Sequence, residues 1–274
     1  MNAVIQQIED QLRGYVPNEE LRETTYWILE ETTGCSRTDI LCGKCTKIVP
    51  EVADVLRRLQ RKEPIQYIFG HTYWRGMCLR VNPSVLIPRP ETSELVDWIL
   101  TDCQESALSL IDAGTGSGCI AVAIARERTK WQIMGIDISE DALSVAAYNG
   151  KQQKVNNIEW LKADMLHLPS GVQADVLVSN PPYIMEQERS TILPNVLNYE
   201  PHTALFVSDA DPLLFYRAIA VQHRAKVLYF EINPLQAEQM TAMLQAEGYT
   251  DIELRCDMQG HSRMIKAKDT HHYV

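Results

Sequence analysis

The sequence predicts an α/β fold: a mostly parallel sheet with helices on both faces, preceded by a small helical domain and a short β-hairpin. Two observations carry the sheet. Beyond about residue 91, short apolar runs each end at a polar side chain: 108–111 before Asp112, 133–136 before Asp137, 176–179 before Asn180 and 227–230 before Glu231. Stretches with helical periodicity lie between and after them, at Cys119–Glu127, 140–149, 213–221 and 236–247. Repeated strand–helix units of this length imply parallel strands joined by crossover helices. Ligands of such sheets bind beyond the carboxyl ends of the strands, where these polar residues gather. A third observation concerns residues 1–64, where the pattern is helical throughout.

Within that first segment, Ile5, Ile8 and Leu12 recur at helical spacing, and Pro17-Asn18-Glu19-Glu20 reads as a helix start with acidic residues in its first turn. Leu21, Trp27 and Ile28 continue an apolar face. After Pro50, Val52, Val55, Leu56 and Leu59 form one stripe, with Arg57, Arg58, Arg61 and Lys62 on the polar side. Those charges read as a solvated face rather than a nucleic-acid patch. Residues 65–90 turn aromatic and β-branched, broken by Gly70, Gly76 and Pro83, which predicts a hairpin connector. Residues 91–274 form the sheet domain.

Composition sets the outer bounds. The 274 residues are 45% hydrophobic and 23% charged, as in a folded globular protein rather than a disordered or fibrous one. The longest candidate apolar run, 119–125, is seven residues, far short of the roughly 20 needed to span a bilayer. The first residues lack the basic segment of a signal peptide, so a cytoplasmic protein is expected. Seven cysteines in no framework spacing suit reduced thiols. Cys35, Cys42 and Cys45 could supply three zinc ligands, but no second Cys-x-x-Cys follows, and neither His71 nor Cys78 stands at a ligand spacing. No metal is expected. Residues 1–90 carry a net charge of +1 and the remainder −11, a poor match for duplex DNA.

The first strand runs into Asp112-Ala113-Gly114-Thr115-Gly116-Ser117-Gly118. Glycines permit a sharp turn and let a ligand approach the backbone where a Cβ would collide. As a dinucleotide fingerprint the loop fails, since a GxGxxG begun at Gly114 would need glycine where Cys119 stands. The pattern acidic-x-Gly-x-Gly-x-Gly instead resembles motif I of S-adenosylmethionine-dependent methyltransferases. Asp137 ends the second strand 19 residues after Gly118, where a carboxylate can accept both ribose hydroxyls. Ser139 is the better N-cap for the helix that follows. Asp164 and Met165 lie on the next loop, which in this fold usually faces the adenine; read alone, the pair could equally be a surface loop.

The fourth strand delivers Ser179-Asn180-Pro181-Pro182-Tyr183. An amide or ring amine is a poor nucleophile because its lone pair is delocalised. Two acceptors that take both N–H bonds can turn that lone pair toward an incoming methyl group. Asn180 offers its side-chain oxygen, and Pro181 a backbone carbonyl with no N–H of its own. Tyr183 can stack on the planar group and exclude water. No base must act first, so the work is positioning and desolvation.

This tetrapeptide is shared by methyltransferases of adenine amines, guanine amines and glutamine amides. Longer strings distinguish them: Pro64-Ile65-Gln66-Tyr67-Ile68-Phe69-Gly70, Trp74-Arg75-Gly76, Val85-Leu86-Ile87-Pro88-Arg89-Pro90-Glu91-Thr92, Tyr199-Glu200-Pro201-His202-Thr203-Ala204-Leu205-Phe206 and Phe215-Tyr216-Arg217. They resemble the release-factor glutamine methyltransferases (the PrmC/HemK family) from about residue 50 to 265. The resemblance implies a Rossmann-like class I methyltransferase sheet, with residues 1–64 as a helical substrate-binding domain. It implies methyl transfer from S-adenosylmethionine, leaving S-adenosylhomocysteine, to the amide nitrogen of the Gln in the Gly-Gly-Gln loop of class-1 peptide-chain release factors. Gly114, Thr115, Gly116, Ser117, Gly118, Asp137, Asp164, Met165 and Asn180 would hold the cofactor. Asn180, Pro181, Pro182 and Tyr183 would hold the glutamine, with Trp74 as an aromatic wall. Where Trp74 stands the family usually has Phe, an acidic residue is usual at Ser93, and some members carry Trp at Met165. The alternative is an rRNA or DNA amino-methyltransferase. No stable nucleic-acid or membrane partner is expected, and a monomer is favoured.

Overall fold

Residues 3–45 and 48–271 are described by a computed structural model. The chain divides into two compact units, Met1–Gly70 with Leu193–Tyr199, and His71–Ile192 with Glu200–Val274.

The first unit holds helices α1 (Ala3–Leu12), α2 (Leu21–Thr33), α3 (Arg37–Leu41), α4 (Pro50–Gln60) and α5 (Ile65–Phe69). The apolar stripes found in the sequence line its core: Ile5, Ile8 and Leu12 of α1, Leu21 and Ile28 of α2, and Val52, Val55, Leu56 and Leu59 of α4 are all buried. Cys45 is buried in this core and Cys35 packs against it, whereas Cys42 is exposed. The basic side of α4 is internally engaged. Arg58 Nε donates to Glu63 at 2.8 Å, Arg57 pairs with Asp54 at 3.3 Å, and Lys62 Nζ donates to the Tyr15 carbonyl at 2.7 Å.

The second unit begins with a hairpin, β1 (His71–Trp74) and β2 (Met77–Arg80). Arg75 and Gly76 both take positive φ, 48° and 68°, as a two-residue turn of the right twist requires. There follow α6 (Pro90–Asp102), β3 (Ser109–Ala113), α7 (Cys119–Glu127), β4 (Gln132–Asp137), α8 (Glu140–Gln152), β5 (Ile158–Lys162) and β6 (Ala174–Ser179). Then come β7 (Ile184–Met185), α9 (Pro194–Tyr199), β8 (Phe206–Val207), α10 (Leu214–Ala220), β9 (Ala225–Glu231), α11 (Ala237–Ala246), β10 (Tyr249–Cys256) and β11 (Ser262–Asp269). Helix α9 groups with the first unit, where the Tyr199 hydroxyl donates to the Arg61 carbonyl at 2.9 Å.

The central sheet has the order β10-β11-β9-β6-β3-β4-β5. Strands β9, β6, β3, β4 and β5 are parallel; β11 pairs antiparallel with β9, and β10 antiparallel with β11, so that β11 alone runs against the rest. Alternate residues of each strand feed two cores. Leu110, Val176, Val178 and Tyr229 pack with α6 and α7 on one face; Ile111, Leu177, Leu228 and Phe230 pack with α10 and α11 on the other. A sheet covered on both faces needs continuous apolar strands, the runs seen in the sequence. Helix α6 was not among the expected elements. Its start, Pro88-Arg89-Pro90, falls at the end of the expected connector, yet Pro90 occupies the first helical turn, where its missing N–H costs no hydrogen bond. Among the described residues no helix is long and apolar enough to cross a membrane.

Candidate active site

The loops after β3, β4, β5 and β6 all leave the same, carboxyl-terminal edge of the parallel strands. After β3, Gly114, Gly116 and Gly118 take φ of +75°, +54° and +78°, a region that side chains with a Cβ rarely enter. A Cβ on Gly114 would lie 2.6 Å from Met165 Cε, the movable end of a flexible side chain, so it is the positive φ rather than this contact that calls for glycine there. One on Gly118 would lie 3.0 Å from Ala146 Cβ of α8. Around Gly116 a Cβ would meet nothing within 4 Å, so this is the open side of the loop. The backbone is tied down below it: Gly114 N and Thr115 N both donate to the Ile136 carbonyl at 2.8 Å. Asn149 of α8, fully buried, donates to the carbonyls of Ser117 and Arg80 at 2.8 and 3.0 Å.

Asp137 closes this loop from the side. Its Oδ2 accepts from Gly116 N and its Oδ1 from Ser139 N, both at 2.9 Å, and each oxygen keeps a further lone pair. Burial raises its pKa, against the pull of those backbone N–H groups. Ser139 caps α8 by accepting from Ala142 N. Ile138, next to Asp137, is 64% exposed, a large apolar side chain beside the open side of the loop. The motif pattern does not mark it; only its exposure does. Asp164 caps the short turn Met165–His167 through an Oδ1 bond from Leu166 N at 2.9 Å.

Asp112 lies wholly buried beneath the glycines. Its Oδ2 accepts from Thr115 Oγ1 at 2.6 Å and from Ala121 N at 3.2 Å, while its Oδ1 has no hydrogen-bond partner. Ser117 Oγ is buried too, with no oxygen or nitrogen partner and the Cys119 thiol beside it. Two orphaned polar atoms under one cradle fit a polar ligand that would bond them. Burial, and secondarily the nearby Asp137, push the Asp112 carboxyl up to about 7. The protonated acid therefore favours the folded state: that stabilisation is complete below pH 3.8 and is lost as pH rises through about 7. Urea unfolding between those limits should show Asp112 contributing a loss on the order of 1–4 kcal/mol as pH rises. An Asp112→Asn protein should lack that part of the slope, and identical slopes would contradict the assignment.

After β6, Ser179 Oγ donates to the Ala113 carbonyl at 2.6 Å, fastening the start of the Asn-Pro-Pro-Tyr segment to the end of β3. Asn180 is half-buried and its Nδ2 donates to Thr92 Oγ1 of α6 at 3.2 Å. Pro181 and Pro182 are buried. The Tyr183 hydroxyl donates to Glu231 Oε1 at 3.1 Å, and the Tyr183 carbonyl accepts from Asn233 Nδ2 at 3.3 Å. Burial and the adjacent Glu231 raise the Tyr183 phenol far above its usual range, so it stays protonated. Glu231, 1% exposed at the end of β9, is raised by its own burial, opposed by bonds from Thr92 and Tyr183 and by the charge of Arg263.

One expectation changes, and one residue gains a role. Trp74 is 5% exposed and belongs to the core that includes α6, with its indole N–H donating to the Arg89 carbonyl at 2.8 Å. It holds the approach to α6 and offers no face to a ligand. Glu200, read only as part of a matching string, is buried and joins two strings: its Oε1 accepts from Arg89 Nη2 at 2.6 Å and its Oε2 from Ile87 N at 3.1 Å. One grouping of metal-ligand type exists among the described residues, His223, Asp269 and His271, at the opposite edge of the sheet. Each imidazole Nδ1 already bonds one Asp269 oxygen, at 2.8 and 3.0 Å, which accounts for the cluster as a hydrogen-bonded clamp.

Comparison with known proteins agrees with this layout. Residues 104–262 match a family model described as a methyltransferase domain, and residues 3–70 match the PrmC N-terminal domain. The chain is 37% identical to the release factor glutamine methyltransferase of Bacteroides thetaiotaomicron, over 97% of this chain and 99% of that protein. It is 36% identical to the Flavobacterium psychrophilum protein of the same name, over 93% and 94%. Among solved structures, the catalytic domain of hMettl16 superposes with a TM-score of 0.59 at 16% identity, over 70% of this chain and 76% of that one, a likeness of fold alone. Similarity that runs nearly end to end, on a sheet with the glycine loop and the tetrapeptide at one edge, shows that the chain belongs to the release factor glutamine methyltransferase family.

Proposed function

We propose that the protein methylates the side-chain amide nitrogen of the glutamine in the Gly-Gly-Gln loop of class-1 peptide-chain release factors, with S-adenosylmethionine as donor. The observation that carries this reading is the Ser179–Ala113 bond, which fastens the Asn-Pro-Pro-Tyr segment to the strand that runs into the glycine loop. When bound, the donor supplies an electrophilic methyl group on a positively charged sulfur. The chain's own residues do the rest. Asp137 accepts the ribose hydroxyls with its remaining lone pairs, and Asp112 Oδ1 and Ser117 Oγ offer polar partners beneath the cradle. Ile138 after β4 and Met165 after β5 give apolar surface for the adenine, with Asp164 next to Met165. Asn180 and the Pro181 carbonyl accept the two amide hydrogens, and Tyr183 covers the planar group. Tyr183, held protonated and donating to Glu231, is no base; the proton leaves the nitrogen after transfer. The N-terminal helical domain, expected over residues 1–64, would dock the release factor.

The test offers methyl-labelled donor to purified release factor, rRNA and DNA in parallel. Label should enter the release factor, disappear when its Gly-Gly-Gln glutamine is replaced, and be indifferent to nucleases. Label in nucleic acid with none in release factor would establish the amino-methyltransferase alternative instead.

A further inference from the structure

The two atoms of an asparagine amide that differ chemically, oxygen and nitrogen, are nearly identical in size, so packing alone cannot choose which one faces a substrate. A directional hydrogen bond must do it. At Asn180 that bond is the one from Nδ2 to Thr92 Oγ1, 3.2 Å long. A threonine hydroxyl has one proton. Here it goes to Glu231, whose Oε2 lies 2.6 Å from Thr92 Oγ1. With its proton so committed, Thr92 can only accept from Asn180, and an acceptor facing Asn180 must be met by NH2 rather than by C=O. Asn180 Oδ1 is thereby turned to the other side, free to accept. The second oxygen of Glu231 takes the Tyr183 hydroxyl at 3.1 Å, and Arg263 adds positive charge nearby. Burial raises the Glu231 pKa, but the two bonds it accepts and the charge of Arg263 pull the other way and favour the carboxylate, which accepts twice and donates nothing.

We propose that Thr92 and Glu231 are positioning residues, a buried relay that fixes the amide orientation of Asn180 and the tilt of Tyr183 from a single carboxylate. Thr92 comes from α6, Glu231 from the end of β9, and the pair they hold from the loop after β6. Three elements distant in sequence thus agree on one proton arrangement. Thr92 is 2% exposed and Glu231 1%, so water does not compete for either contact. The inference rests on the proposed reaction in one respect, that Asn180 Oδ1 is the atom needed by the substrate amide.

The experiment compares Thr92→Val with Thr92→Ser in the full chain. Valine keeps the shape and removes the hydroxyl, while serine keeps the hydroxyl. Two quantities are read: the 15N–1H resonances of the Asn180 side-chain amide, and kcat and KM for methylation of release factor. In Thr92→Val the Asn180 resonances should move and kcat should fall on the order of 10²-fold with KM for the donor unchanged, since only alignment is lost. Thr92→Ser should restore both. Unmoved resonances or an unmoved kcat in a folded Thr92→Val protein overturns the relay. So does a Thr92→Ser protein as impaired as Thr92→Val at equal thermal stability. Should the wild-type protein itself transfer no methyl group to release factor, the proposed substrate falls, and the Asn180 resonances alone decide the relay.

Discussion

Asn180→Ala should lower the rate of methyl transfer by on the order of 10²-fold or more under single-turnover conditions with donor and release factor saturating. An unactivated amide nitrogen reacts only if its lone pair is drawn out of conjugation and aimed along the line of the breaking bond. Of the two acceptors available for its hydrogens, the Pro181 carbonyl belongs to the backbone and survives the substitution, whereas Asn180 Oδ1 does not. One remaining hydrogen bond fixes a distance but not a direction. Asn180→Asp is informative beside it, because the carboxylate keeps an acceptor but has no N–H to give Thr92 Oγ1 and places charge in a half-buried site. It should be impaired as well. Tyr183→Phe keeps the stacking face and leaves Glu231 one donor short, at a cost of about 1 kcal/mol in stability. Its turnover should suffer much less than that of Tyr183→Ala. A folded Asn180→Ala protein that binds both substrates and turns over near the wild-type rate would refute the role given to the tetrapeptide while leaving the fold untouched.

The parts of this arrangement that were legible in the sequence share a physical character. Helix α7 reads directly as Cys119–Glu127 because every residue from Cys119 to Ala125 is buried, so its apolar run is continuous. Strands β3, β4, β6 and β9 are visible because both their faces are covered. The N-cap at Ser139 is visible because the cap is a local bond between residues three apart. What escaped depends on partners far away along the chain. Strand β10 has one buried residue, Tyr249, followed by half-buried and exposed positions that include Glu253 and Arg255, as suits a sheet edge, and so shows no apolar run. Trp74 looks like a ligand wall until the Arg89 carbonyl is found against its indole nitrogen. Thr92 and Glu231 stand 139 positions apart, and nothing local to either announces a hydrogen bond between them. The glycine loop and the tetrapeptide were the easiest to find because their chemistry is written in consecutive residues. The network that orients them was not.

Asp137→Ala is expected to weaken donor binding by about 1.5–3 kcal/mol, roughly ten- to hundredfold in Kd, because hydrogen bonds to a charged acceptor are lost. The same substitution acts on the folded protein in two opposing ways. It releases Gly116 N and Ser139 N from the carboxylate, which loosens the open part of the glycine cradle. It also removes a buried charge. Burial raises the Asp137 pKa above its ordinary 3.8, so the ionised carboxylate is disfavoured by folding and the folded state bears the cost of that burial. Removing the group recovers the cost while giving up the two backbone bonds. Folding stability should therefore change little while donor affinity drops, a dissociation that a core residue such as Ile136 would not show, since its loss would lower both. Calorimetric titration with S-adenosylmethionine, set beside urea unfolding of the same protein, measures the two quantities separately. Unchanged affinity in a folded Asp137→Ala protein would remove Asp137 from the donor site and leave it a fastener for the backbone at Gly116.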